Sequence, residues 1–587
     1  MPKTTAPEFD AKTQENIVHW LHGHYDEKTK LEVREMVEKK PLEAIDAFYT
    51  NLEFGTGGLR GIMGVGSNRM NYYTVRTATQ GLANYINSKV ANGSVFISYD
   101  SRHHSKEFAE EAAKVLAGNG IHAYLTKDLR PTPLVSFGCR YKNCTSAIMI
   151  TASHNPPEYN GYKVYWSDGG QVLPPNDVGI IDEVNKITDV NHIKSVDSVQ
   201  NALITYVGEE VDQAYLAAIS TLQIHPAMNL KNGHNLSVVY TSLHGTGITL
   251  VPEALKQCGF TNLHYVDDQI IPNGDFPTAR YPNPEDRNAL TLGIKKLEAV
   301  QGDLLIATDP DADRVGIAVR HKGETVLLTG NQVACLCVDY ICQALEEQGK
   351  LPPRAAFIKS IVTSELFNEI CKHYKRTCVE VLTGFKYIAE KIREWERNEK
   401  KGLQFLFGAE ESYGYLLGTF SRDKDAVVSS ALICELALWC KMHNKTLVDQ
   451  LHELYRQHGV YNQKLYTINF EDTKEGKEKM SAGMQKLRDN PPTILDGELV
   501  VKIEDYQTGI SNNVTEKKES LIELPKSNVI SFHLEDRSKI TIRPSGTEPK
   551  IKIYCEVVMK KFVDISGGIN QATHKADQLI TALKELF

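Results

Sequence analysis

Two hydrophobic rhythms alternate along this 587-residue chain: short β-branched runs, and longer stretches with apolar residues at helical spacing. The same order, strand, helix, strand, helix, strand, recurs three times. The strands fall at 95–100, 122–125 and 147–150, then at 236–240, 263–266 and 303–306, then at 356–359, 378–381 and 404–407. Strands separated by helices predict βαβ units and largely parallel sheets, whose ligands gather at the carboxyl ends of the strands. Each third strand runs into a polar segment rich in reactive side chains.

Beyond about residue 465 the rhythm changes. A polar helix is expected at 474–488, alternating strands at 500–503 and 529–533, and a hairpin pairing 539–542 with 551–554. Leu579, Ile580, Leu583 and Leu586 make an apolar stripe that predicts a closing helix. The fold class expected is therefore α/β, with three similar mixed α/β domains and largely parallel sheets, followed by a C-terminal α+β domain with an antiparallel sheet. The boundaries expected are 1–222, 223–340, 341–465 and 466–587. The first includes an amino-terminal extension whose polar helical pattern spans 13–37.

Composition narrows the class. With 41% hydrophobic and 24% charged residues the chain matches ordinary globular proteins, and its length calls for several cores. A net charge of −8 without a basic run argues against a nucleic-acid partner. The longest apolar stretch, 426–440, is broken by Ser429, Ser430 and Glu435, so no membrane partner is expected. The segment MPKTTAPEFD lacks the basic and apolar regions of a secretory signal, and the 11 cysteines show no paired metal or disulfide spacing. A cytoplasmic location is expected.

Four segments carry chemistry. TASHNP at 151–156 follows a strand and offers Ser153 as a nucleophile, although serine needs a neighbouring base or cation, or a phosphate already in place. In DPDADR at 309–314 an extended backbone would put Asp309, Asp311 and Asp313 on one side, and three such carboxylates demand a cation. An EF-hand is excluded because Arg314 and Arg320 stand where its glycine and glutamate belong. Oxygen ligands without a complete cage suit magnesium. In RPSGTEPK at 543–550, Arg543, Ser545, Gly546, Thr547 and Lys550 form a cradle for phosphate. Glu410, Glu411 and Ser412 in GAEES offer acceptors to neighbouring sugar hydroxyls. A fifth segment, GTGGLRG at 55–61, lacks the order of a nucleotide-binding loop but places Arg60 on a flexible backbone.

With these motifs in this order the chain resembles the α-D-phosphohexomutase superfamily from about residue 54 to 550, and the GAEESYG form of its sugar loop is similar to the phosphoglucomutase and phosphopentomutase branch. The resemblance implies a phosphoserine at Ser153, whose phosphate joins Asp309, Asp311 and Asp313 around Mg2+. It implies proton transfer by Lys163 and Lys424, cations lowering those lysines, and Arg60 and His154 beside the serine. It places Arg314, Thr383, Gly384, Glu410, Ser412 and Lys424 around the sugar, and Arg543, Ser545, Gly546 and Thr547 at the distal phosphate. The implied reaction interconverts glucose 1-phosphate and glucose 6-phosphate through a sugar 1,6-bisphosphate, which is also the activator. Alternatives are a phosphopentomutase acting on ribose or deoxyribose 1-phosphate, a glucose 1,6-bisphosphate synthase, or a non-catalytic sugar-phosphate sensor. A phosphomannomutase is disfavoured by Glu411, which stands where the mannose-using branch commonly has methionine or asparagine.

Overall fold

The structure, a computed structural model, describes residues 8–53, 58–398, 402–471, 474–545 and 550–587. These divide into two compact units. One comprises Met1–Leu328, Ile388–Gly402 and Tyr413–Lys441; the other comprises Thr329–Tyr387, Leu403–Ser412 and Met442–Phe587.

The first unit begins with three short helices, α1 (Ala11–His22), α2 (Glu27–Lys39) and α3 (Pro41–Phe48). The continuous pattern expected at 13–37 is thus two helices, broken at Gly23. Asp10 and Asp26 start them by accepting the backbone N–H of Thr13 and Thr29. Ile17, Trp20, Tyr25, Val33, Ala47 and Phe48 form the small core of this extension. Helix α4 (Tyr72–Lys89), opened by an Asn71–Thr74 capping box, and α5 (Ser105–Gly118) then pack on the first sheet.

That sheet contains β1 (Gly58–Ile62), β2 (Ser94–Tyr99), β3 (His122–Thr126), β4 (Ser146–Ile150), β5 (Tyr159–Trp166) and β6 (Ile204–Val207), in the order β1-β5-β4-β2-β3-β6. Strands β4, β2, β3 and β6 run parallel, and β5 and β1 add antiparallel. Every residue of β4 is buried, as befits a parallel strand covered on both faces.

A second sheet, in the order β11-β10-β9-β7-β8, combines β7 (Val238–Thr241), β8 (Leu263–Tyr265), β9 (Leu304–Thr308), β10 (Val315–His321) and β11 (Glu324–Leu328). Again the central strands are parallel, while β10 returns antiparallel against β9. Helix Ala426–Met442 belongs to this unit up to Lys441, and Ala426 to Cys440 are all buried. Among the described residues no single helix is long and apolar enough to cross a membrane.

In the second unit β12 (Ala355–Ser360) lies between β13 (Thr377–Val381) and β14 (Gln404–Glu410), all parallel. The last sheet is antiparallel throughout. Its strands run, from one side, Val460–Asn469, Lys550–Met559, Lys539–Pro544, Ile530–Leu534, Glu498–Asp505, Ile510–Asn513 and Lys518–Leu521. Helix Ile565–Lys584 packs on this sheet and buries Leu579, Ile580 and Leu583. The fold class is the expected one: three α/β layers with mixed sheets and a C-terminal antiparallel domain.

Candidate active site

The chemistry of the first unit collects where parallel strands end. Strand β4 delivers Thr151 and Ser153, β9 delivers Asp309, and β2 delivers Asp100 and Arg102. Ser153 is 3% exposed and holds a left-handed backbone, φ 52°. A non-glycine residue in that region costs energy, and here the bend turns its hydroxyl toward the acidic loop. The Ser153 Oγ donates to Asp309 Oδ2 at 2.7 Å and lies 3.2 Å from His154 Nδ1.

Asp309, Asp311 and Asp313 are each at most 1% exposed, and their carboxylate oxygens lie within 4.8 Å of one another. An extended backbone is not what gathers them, in contrast to the expectation from alternation. The segment is a turn: Ala312 is left-handed at φ 50° and donates its N–H to Asp309 O. Two more backbone N–H groups, from Asp313 and Arg314, donate to Asp309 Oδ1. The loop rests against Gly245, where a Cβ would lie 2.2 Å from Pro310 Cα, so only glycine fits.

The donor set suits a divalent cation. Asp311 Oδ1 and Asp313 Oδ1 are buried without a hydrogen-bond partner, an expensive arrangement unless a cation takes them up. Burial, followed by repulsion from Asp311 and Asp313, pushes the Asp309 carboxyl well above the usual carboxylate range. Burial also opposes ionisation of Asp311, but Lys163 and a hydroxyl bond from Thr132 hold it low.

Lys163 and Lys424 converge on the same carboxylates. Lys163 Nζ donates to Asp311 Oδ2 at 2.7 Å and to Asp313 Oδ2 at 3.2 Å, and Lys424 Nζ lies 3.2 Å from Asp313 Oδ2. The expectation that neighbouring cations lower these lysines fails for Lys163. Burial and Lys424 do push it down, but Asp311 and Asp313 outweigh them and raise it. His154 moves the other way: burial, then Arg314 and Arg60, push it well below its ordinary value, so its ring is held neutral and resists taking up a proton. Arg60, on β1, donates to Asn155 Oδ1 at 3.3 Å, and Arg314 Nη1 pairs with Glu285 at 2.8 Å.

Three supports escaped the sequence reading. Buried Arg102 spans the serine loop, donating to the carbonyls of Ser153, Asn155, Pro156 and Tyr159 at 2.5–3.0 Å. Asp100, also buried, faces its guanidinium at 3.3 Å, and the ring of Phe276 lies beneath it. The signal was present as Asp100 and Arg102 immediately after a central strand. Thr132 binds Asp311 through both hydroxyl and backbone N–H. Asp423, fixed by the Tyr165 hydroxyl at 2.8 Å, lies 3.3 Å from Lys424 Nζ. Lys424 runs past Gly414, where a Cβ would come 2.1 Å from its Cδ.

In the second unit Glu410 ends β14, is 5% exposed and accepts the N–H of Gly384 at 2.7 Å. Gly384 has φ 124°, and beside it the buried Thr383 hydroxyl has no hydrogen-bond partner. Ser412 is half-buried nearby in sequence, whereas Glu411 is already engaged by the Ser360 hydroxyl at 3.0 Å. Arg543 and Ser545 are half-buried at the end of strand Lys539–Pro544, where the Ser545 N–H closes the hairpin on Lys550 O. Gly546 and Thr547, and the Gly55–Gly57 part of the glycine-rich loop, lie outside the described residues.

A serine hydroxyl beside a buried trio of carboxylates and two lysines at strand ends fits a class, the α/β phosphotransferases. The comparisons narrow it. Models of the phosphoglucomutase/phosphomannomutase α/β/α domains I, II and III match residues 51–191, 213–323 and 329–458. A phosphoglucomutase of Staphylococcus epidermidis is 38% identical over 533 residues, covering 90% of this chain and 95% of the relative. One from Staphylococcus aureus is 38% identical over 535 residues, covering 91% and 94%. Among solved structures, a putative phosphomannomutase from Thermus thermophilus shares the fold with a TM-score of 0.65 at 20% identity, covering 92% of this chain and 99% of its own. The parafusin phosphoglucomutase of Paramecium, in an open form, gives 0.68 at 17% identity, covering 92% and 96%. The chain belongs to the phosphoglucomutase/phosphomannomutase family of the α-D-phosphohexomutase superfamily, and it is a phosphosugar mutase.

Proposed function

We propose that the protein interconverts glucose 1-phosphate and glucose 6-phosphate by way of a phosphoserine at Ser153. The observation that carries this reading is the 2.7 Å bond from Ser153 Oγ to Asp309 Oδ2, inside the buried trio of carboxylates. The phosphoserine's Oγ–P bond breaks as a bond forms from phosphorus to the free sugar hydroxyl, whose proton passes to a neighbouring base while the freed Ser153 oxygen takes a proton from a neighbouring acid. The resulting glucose 1,6-bisphosphate turns round and returns its other phosphate to Ser153.

Magnesium, held by Asp309, Asp311, Asp313 and a phosphate oxygen on Ser153, would draw negative charge from the transferring group. Lys163 and Lys424 are positioned to exchange the hydroxyl proton, and neutral His154 lies within reach of the serine oxygen. Arg60, through Asn155, and Arg102 keep the serine loop in place. Glu410, Ser412, Thr383 and Gly384 would bind sugar hydroxyls, and Arg314 would meet the sugar phosphate. Arg543, Ser545, Gly546 and Thr547 would hold the distal phosphate. The substrates, free sugar phosphates, favour a cytoplasmic enzyme without nucleic-acid or membrane partners. We keep domain limits at 1–222, 223–340, 341–465 and 466–587 as part of this reading.

The test is intact-protein mass spectrometry after incubation with glucose 1,6-bisphosphate, joined to a coupled assay. One covalent phosphate is expected on the wild type and none on Ser153→Ala. Isomerisation of glucose 1-phosphate should depend on Mg2+ and on the bisphosphate. A wild type that takes up no phosphate refutes the mechanism. Faster turnover of ribose 1-phosphate would move the assignment to a phosphopentomutase, and net bisphosphate formation from 1,3-bisphosphoglycerate would move it to a synthase.

A further inference from the structure

A cavity of about 780 Å3 lies between the amino-terminal helices and the first α/β layer, within the range of small-molecule sites. One wall is aromatic: the exposed ring of Tyr72 meets Phe108 edge-on at 5.4 Å and His104 at 6.4 Å. Trp20 faces it from the extension and Tyr73 from the start of α4, with Met63 and Met70 completing an apolar lining. Aromatic rings set edge to face and thioethers receive a flat, polarizable molecule well.

The polar groups give the sign of the ligand. Arg76 is already paired with Glu111 at 2.6 Å, and Lys28 faces Glu32 at 3.9 Å. Asp26, by contrast, meets only hydroxyl and N–H donors, from Tyr73 and Thr29, and Asp275 meets His103 at 2.7 Å. Glu158 is paired with Arg280, as Arg76 is with Glu111, which leaves Asp26 and Asp275 as the carboxylates not matched by a lysine or arginine. Such walls repel phosphate and favour a molecule that offers N–H or O–H donors.

The cavity also touches the catalytic loop. Pro157 and Glu158 line it, lying between the Pro156 and Tyr159 carbonyls that Arg102 holds. On the same wall His103 accepts a hydrogen bond from Asn160 through its carbonyl at 3.0 Å.

We infer that this cavity binds a neutral, planar heteroaromatic molecule of nucleoside size, and that its occupant stiffens the loop bearing Ser153. Neither step depends on the mutase reading, because binding and loop exchange are measured without turnover. Adenosine and uridine are titrated into the full chain by calorimetry. Saturable binding at one site is expected for at least one of them, with AMP or UMP at least about tenfold weaker because of the acidic lining. Tyr72→Ala should lose about tenfold in affinity and Tyr72→Phe should keep it, with basal activity unchanged in both.

Hydrogen exchange of 153–160 should slow on binding. Absence of saturable binding by either nucleoside, equal affinity for the nucleotides, or full binding by Tyr72→Ala would overturn the site. Binding with unaltered exchange at 153–160 would overturn the coupling.

Discussion

At the scale of single residues the serine loop shows how much an active site owes to groups that never touch substrate. Ser153 sits in a left-handed conformation that an isolated peptide would abandon. What holds it is Arg102, whose fork reaches four carbonyls while Asp100 matches its charge. Lysine can replace the charge and not the fork. Arg102→Lys should therefore fold, keep its KM for glucose 1-phosphate within a few-fold and lose about a hundredfold in kcat, the scale on which small misplacements of reacting groups act. Arg102→Ala strands buried Asp100 and should be destabilised by about 3–5 kcal/mol. Stopped-flow assays and urea unfolding check the pair. A Lys variant with wild-type kcat would show that the loop holds itself.

Elements were far more legible than side-chain geometry. All nine expected α/β strands form, with ends within three residues of those expected, because most are central parallel strands, apolar on both faces, that stand out as continuous runs. Strands β1, β5, β10 and β11 went unread: they lie at or near the antiparallel sides of their sheets, and Asn160, Gly161 and Lys163 in β5 dilute the apolar signal. The acidic trio was found by spacing, yet its turn was not, since nothing in the residue types announces a left-handed Ala312. Arg102 stood in a telling place just beyond a central strand, but its role went unread because its partners are backbone carbonyls, which no residue type announces.

Helix Ala426–Met442 shows a further element-level device. Buried Asp425 caps it, accepting the N–H groups of Val427 and Val428 at 2.9 and 3.0 Å and the Tyr215 hydroxyl at 2.7 Å. Burial pushes its carboxyl up to about 7 from an ordinary 3.8. The folded chain thus binds a proton that the unfolded chain releases between those values, so this group's contribution is complete below about pH 4 and is lost as pH rises through 7. Asp425→Asn keeps an acceptor for the cap and removes the titration. Its stability relative to wild type should rise between pH 4 and 8, by at most about 4 kcal/mol at 1.36 kcal/mol per pKa unit. Denaturant midpoints at the two pH values decide it, and a constant difference would refute it.

For the molecule as a whole, two compact units cut across the three matched family domains: residues 388–402 and 413–441 of the third join the first unit, while the rest of the third belongs with the antiparallel domain. Within that second unit the third α/β layer and the last sheet are tied by buried charge. Lys359, fully buried, lies between Glu365 at 3.0 Å and Glu380 at 2.6 Å, and Lys539 of the last sheet reaches the same Glu365 at 3.1 Å and Ile361 O at 3.0 Å. Burial would push Lys359 down, but Glu365 and Glu380 raise it well above its ordinary value. Glu365→Gln leaves two buried ammonium groups sharing fewer carboxylates, a loss of about 3 kcal/mol for a broken buried pair. Units of this size move roughly 2–4 °C per kcal/mol, so a fall of about 6–12 °C is expected. Scanning calorimetry should resolve two transitions, with Glu365→Gln lowering one and Asp425→Asn, at pH 8, raising the other. A single transition shifted by both substitutions would mean that the chain unfolds as one cooperative body and that the division into units has no energetic counterpart.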